Sequence, residues 1–247
     1  MATNFTYYTW KQIPASLEPF HIIKTHVSNI IPETILKPVH QSGFTGINAG
    51  FFASDDYNQP PTEGRSISYN PSDENVKITF QGRTLAKNYL YNGTASKPVS
   101  SKTFVAYKDA SGATKAAYMY VSKAQQVFDK YGKSNVKAII GGTDFNEESW
   151  GAERFWDLKL PNYYGYRLPV KRSMISFKDD QVYLIVGVGS ISYMRDIMDD
   201  LGLSATNTII LDGSGSSQMQ YKSGGTFVRP QQDTRYVFNM VRLKNDN

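Results

Sequence analysis

The dominant hydrophobic pattern along this chain is short runs rich in β-branched and aromatic residues, which predict strands. Phe5 to Trp10, Pro19 to Val27, Thr103 to Tyr107, Ala116 to Val121, Gln181 to Val188 and Thr234 to Leu243 are rich in Val, Ile, Tyr, Phe and Thr. Most are bounded by Gly, Pro, Asn, Asp or Ser. Two segments carry the helical period instead. Ala124, Val127, Phe128 and Tyr131 share one face, with Ser122 as the expected N-cap and Gly132 as the stop. Ile191, Met194, Ile197, Met198 and Leu201 form a second stripe between Ser190 and Gly202. An apolar strand follows each helix, Val136 to Ile140 and Thr208 to Leu211. The order is mostly hairpins with two crossovers. It predicts a single α+β domain over residues 1–247, a mixed and mostly antiparallel sheet with a few flanking helices. No internal repeat is visible. Asn92 to Ser101 reads as an exposed connection, and Trp150 to Pro169 as a long loop dense in aromatic residues.

Composition narrows the chemistry. The 247 residues include no cysteine and three histidines, His21, His26 and His40. Disulfides, thiolate catalysis and Cys-ligated zinc are therefore excluded, and the histidines read as satisfied or exposed. A net charge of +5, scattered along the chain, favours anionic ligands but gives no basic run for nucleic acid. No stretch of 18 apolar residues exists, so no membrane partner is expected. The first residues, Met1 to Thr6, lack the basic and apolar regions of a secretory signal. If this is the full product, the expected location is the cytoplasm or a virion.

Four segments have glycines and polar residues that serve no regular structure. They are Gly46-Ile47-Asn48-Ala49-Gly50-Phe51-Phe52, Ile139-Ile140-Gly141-Gly142-Thr143-Asp144-Phe145, the strand start Lys171-Arg172-Ser173, and Leu211-Asp212-Gly213-Ser214-Gly215-Ser216-Ser217-Gln218-Met219. In the last, a carboxylate ends an apolar strand and is positioned by the sheet rather than by a loop. Gly213 and Gly215 allow close backbone approach, while Ser214, Ser216 and Ser217 offer short donors. A tight hairpin with polar filler fits the same residues.

In this order and spacing the four segments resemble the phosphodiester glycosidase domain family. Its members include the enzyme that removes N-acetylglucosamine from mannose 6-phosphate diesters. The likeness runs from about Phe20 to Leu243. Ala49 and Ser214 stand where the family usually has glycine, and Lys171 where it has proline.

The resemblance implies cleavage of a sugar-1-phosphate diester at the anomeric carbon. The reaction needs a carboxylate near a cationic transition state and donors for the departing phosphate. Asp212 is the expected carboxylate and Arg172 the phosphate clamp, with Glu63 or Asp144 as a second carboxylate. Asn48, Gly50, Gly141, Gly142, Ser173, Gly213, Ser214, Gly215, Ser216, Ser217 and Arg235 are the expected substrate-binding set. Each polar member also reads as an ordinary turn or strand residue. Asp55, Asp56, Glu147 and Glu148 read as surface acids or as a calcium-type oxygen site, so a divalent cation is the one cofactor left open, with no metal ligand assigned. The aromatic loop reads as a lid or stacking wall, or as a small core of its own. The substrate implied is a phosphate-linked glycan, such as a cell-wall teichoic acid in a bacterium or its phage. The other reading is a module that binds glycosyl phosphates or nucleotide sugars without turnover.

Overall fold

The computed structural model describes residues 4–10, 18–73, 77–80, 83–86, 90–146 and 169–246. The chain begins with β1 (Phe5–Trp10), β2 (Phe20–His26), β3 (Ile30–Lys37), β4 (Gly46–Asn48), β5 (Phe52–Ala53), β6 (Glu63–Gly64) and β7 (Ser68–Tyr69). Next come β8 (Lys77–Phe80), β9 (Arg83–Ala86), β10 (Ser101–Lys108), β11 (Thr114–Val121), α1 (Ala124–Tyr131) and β12 (Val136–Gly141). It closes with β13 (Val170–Lys178), β14 (Gln181–Gly189), α2 (Ile191–Asp200), β15 (Thr208–Ile210), β16 (Met219–Ser223), β17 (Thr226–Gln231) and β18 (Val237–Leu243). The fold is mostly β. Three sheets have the strand orders β1-β2-β14-β13-β15, β11-β10-β12-β7 and β17-β16-β4-β18-β3, beside the small hairpins β5–β6 and β8–β9.

Every pairing among the described strands is antiparallel, which corrects the expectation of a mixed sheet. The reason lies in the two helical crossovers. Each returns its strand to the far side of the hairpin's first strand, so the parallel partners never touch: β12 joins β10 rather than β11, and β15 joins β13 rather than β14. The two units β10–β11–α1–β12 and β13–β14–α2–β15 thus share one topology, a repeat that the sequence does not display. They are stitched together by paired backbone hydrogen bonds between Thr143 and Ile210, each 2.8 Å.

Apolar residues from all three large sheets build the central core, including Ile23, Ile175 and Leu184, Ile47 and Val241, and Phe104 and Ile140. A second core lies under α2, where Ile191, Met194, Ile197 and Met198 meet Phe20, Met174 and Ile210. Alternation along β13 accounts for the division. Met174 faces the helix and Ile175 the inter-sheet core. A third core lies under α1.

Differences from the sequence reading have local causes. Helix α1 is capped at Lys123, not Ser122, and the Gln126 side chain accepts the backbone N–H groups of both. Strands β3, β16 and β17 lack a clean alternation. Pro32 within β3 is tolerated because β3 is an edge strand. Asn92 is not part of an exposed connection. It is buried, accepts from Ile67 N–H at 3.0 Å and donates to Thr103 Oγ1 and Val121 O. The aromatic loop up to Leu168, and Glu147 and Glu148 with it, lie outside the described residues.

Candidate functional site

Strand register brings the principal pair together. Met174 on β13 lies opposite Ile210 on β15, and the ladder continues past the strand end, where Leu211 N–H donates to Ser173 O at 2.8 Å. The next step sets Asp212 across from Arg172. On the other side of β13, Arg172 faces Gly187 of β14. There the ring of Phe20 occupies the space a Cβ would need. The row reads Phe20, Gly187, Arg172, Asp212, and the last two act on each other by charge across the gap rather than through a direct ion pair.

Asp212 keeps some accessible surface, yet enough protein crowds its carboxyl that burial raises the pKa to about 6. Nearby Ser216, the Gly213 N–H at 2.9 Å from Oδ1, and the charges of Arg235 and Arg172 pull the other way. The Ser216 hydroxyl lies against the carboxyl, but its geometry falls outside a hydrogen bond, and among the described residues neither it nor the Ser217 hydroxyl has a partner. Both are buried. Arg172 is 4% exposed, and burial lowers its pKa to about 10 against the opposing pull of Asp212. It stays charged at neutral pH.

Arg235 closes the other side of the turn. Its guanidinium lies against Gly215, where an added Cβ would come within 2.6 Å of Nη2, and its Cζ sits 3.9 Å from the centroid of the Tyr57 ring. A side chain at 215 would push the Arg235 guanidinium off the turn. Gly213 has a similar reason, since a Cβ there would meet Lys171 O at 2.9 Å.

Asn48 joins the site from beneath. Its Nδ2 donates to Asp212 O at 2.8 Å, and its Oδ1 accepts from Ser173 Oγ at 2.6 Å and Gln218 N–H at 3.1 Å. At 1% exposure this amide braces three segments, and Ser173 is consumed in the same bond. Gly50, Gly141 and Gly142 have packing reasons as well. A Cβ at Gly50 would run into Ser66, one at Gly141 into Asn92, and one at Gly142 would sit 2.5 Å from Ile210 O. Ser214 adopts φ +57°, the left-handed region that favours glycine.

The two candidates for a second carboxylate are engaged elsewhere. Asp144 accepts from Tyr120 Oη at 2.7 Å and from Asn146, and its charge is felt by Lys102. Lys102 is 3% exposed, donates to Ala205 O at 3.0 Å and lies over the Tyr118 ring. Burial lowers its pKa to about 8. Glu63 accepts from Arg65 Nη1 at 3.3 Å at a partly exposed position. Sequence reading missed the roles of Tyr57, Lys102 and Gln218. Tyr57 and Lys102 lie in no motif, and Gln218 sits in the last one without a role its spacing could reveal.

Among the described residues, no group of three or more His, Asp or Glu side chains is arranged to hold a metal ion. Asp56 instead folds its own loop, accepting from Asn58 N–H at 2.8 Å. The histidines lie away from the turn, with His21 against Tyr7 Oη and His40 near Asp233 O. No described helix is long and apolar enough to cross a membrane.

No family model matches the chain, and no curated protein does. Among solved structures it is similar to the crystal structure of a Burkholderia pseudomallei protein described only as exported, at 12% identity and a TM-score of 0.45, over 91% of this chain and 74% of that one.

Proposed function

We propose that the chain is a phosphodiester glycosidase-like hydrolase, one α+β domain with flanking helices, that cleaves a sugar-1-phosphate diester at the anomeric carbon. The observation that carries this reading is a half-buried carboxyl, Asp212, flanked by two guanidinium groups on a turn of small residues. With a pKa of about 6, Asp212 is mostly ionised at neutral pH and can still accept a proton as charge builds. In this mechanism a water attacks the anomeric carbon and gives its proton to Asp212. The C1–O bond breaks, and its electron pair leaves with the phosphate as a monoester. Arg172 and Arg235 take up the growing negative charge, so the leaving group needs no strong acid. A phosphate-linked glycan of a bacterial cell wall is the substrate class proposed.

The second reading, a module that holds glycosyl phosphates without turnover, draws support from Asp144 and Glu63, whose described contacts are not shared with Asp212. Incubation with an aryl sugar-1-phosphate diester separates the two. Hydrolysis predicts free reducing sugar, lost in Asp212→Asn. Protection against thermal unfolding without release would select the binding module.

A further inference from the structure

Tyr57 lies on the loop between β5 and β6, far in sequence from the motifs, yet three contacts tie it to the site. Its backbone carbonyl accepts Tyr236 N–H at 2.9 Å, which fixes the loop beside β18. Its ring stacks under the Arg235 guanidinium at 3.9 Å, and Phe52 meets the ring edge-on at 6.3 Å. That guanidinium also rests on Gly215, within the turn that begins at Asp212. Arg235 is therefore held between an aromatic face and a glycine. An arginine at a strand entry would otherwise sample many rotamers in solvent, and an aromatic platform removes that freedom.

We infer that Tyr57 is a positioning residue that holds Arg235 against the Asp212 turn and thereby completes a two-guanidinium seat facing one carboxylate. The inference rests on Asp212 being the acting group of the proposed function, but its geometry needs no substrate. Other groups that act on the pair are Arg172 from β13, Ser216 and the Gly213 N–H from the turn, and Asp233, which accepts Arg235 N–H at 2.9 Å. Asp233 is held to the backbone of Arg235 and leaves the guanidinium to Tyr57.

The test is an NMR titration of the Asp212 carboxyl carbon in the full chain, with no ligand present. Arg235→Gln should raise the Asp212 midpoint, since a nearby positive charge is lost. Tyr57→Ala should raise it in the same direction and Tyr57→Phe should leave it in place. The double variant Tyr57→Ala with Arg235→Gln should shift no further than Arg235→Gln alone. Should Tyr57→Ala fail to fold, Tyr57→Leu keeps apolar bulk without the aromatic face and carries the same expectation. A midpoint that moves in Arg235→Gln but not in Tyr57→Ala or Tyr57→Leu overturns the positioning role. A midpoint unmoved even in Arg235→Gln overturns the seat itself. Failure to hydrolyse a sugar-1-phosphate diester would sink the proposed function and leave this titration intact.

Discussion

At the scale of single residues, the turn after β15 shows how local strain and a buried brace shape one carboxylate. Ser214 holds φ +57° at an exposed position. The left-handed region costs an L-residue about 1 kcal/mol relative to glycine. Ser214→Gly should therefore raise stability by about 1 kcal/mol, read as a shift in the urea midpoint, with the Asp212 titration unchanged. Asn48 is the opposite case. Truncating it strips Ser173 Oγ and Gln218 N–H of their acceptor and Asp212 O of a donor, all in a dry environment. Asn48→Ala should cost about 3 kcal/mol by the same measurement, as expected when several buried polar groups lose partners. The short polar motif made Asn48 visible in the sequence. Its inward use was not, because nothing in Asn48-Ala49-Gly50 says whether the amide meets a ligand or three neighbouring segments.

At the scale of elements, both described helices and the longer apolar strands were legible, whereas β3, the short strands β5 to β9, β16, β17 and the pairing were not. Enrichment in β-branched and aromatic residues marked β1, β2, β10, β11 and β14, and the stripe with its Ser190 cap marked α2, because those signals are local. The antiparallel placement of β12 and β15 depends on which edge of each hairpin the crossover reaches, and no local pattern encodes that choice. Cross-strand rows were hidden for the same reason. Gly187 is silent in the sequence, yet it is the space between Phe20 and Arg172. A methyl group there would collide with a ring that is fully buried. Gly187→Ala should destabilise the fold by about 2 kcal/mol, the usual scale for overpacking a rigid core. Because Arg172 shares that row, the variant should also weaken anion binding at the site, which calorimetry with inorganic phosphate would register. Asp144 follows a double glycine, a position that suggested a second carboxylate; Thr143 is pinned to Ile210, and the chain then carries Asp144 to Tyr120 and Lys102.

At the scale of the whole molecule, two ionisable groups held at unfavourable pKa values leave opposite marks on stability. The Asp212 carboxyl moves from 3.8 to about 6 on folding, so between those values the native state binds the proton more tightly than the unfolded chain. Stability must then fall as pH rises across that window. A rise of that size corresponds to at most about 3 kcal/mol at neutral pH, and the lost attraction between Asp212 and Arg172 reduces what a substitution recovers. Asp212→Asn should therefore be more stable than the parent chain at pH 7 and indistinguishable from it at about pH 3, below the window. Urea unfolding across that range would show the gap opening. Lys102 acts with the other sign. Its pKa falls from 10.5 to about 8, so the unfolded state binds its proton more tightly, and stability should rise between pH 8 and 10.5. Lys102→Met should flatten that upper limb and leave the lower one alone. The contrast separates the two roles. A charge kept at a cost by Asp212 is expected of a group that does chemistry, whereas Lys102, fixed on Ala205 O and the Tyr118 ring, joins the two repeated units at their seam. If the acidic window persisted unchanged in Asp212→Asn, the carboxyl would not carry the cost assigned to it, and the case for Asp212 as the acting group would lose its physical basis.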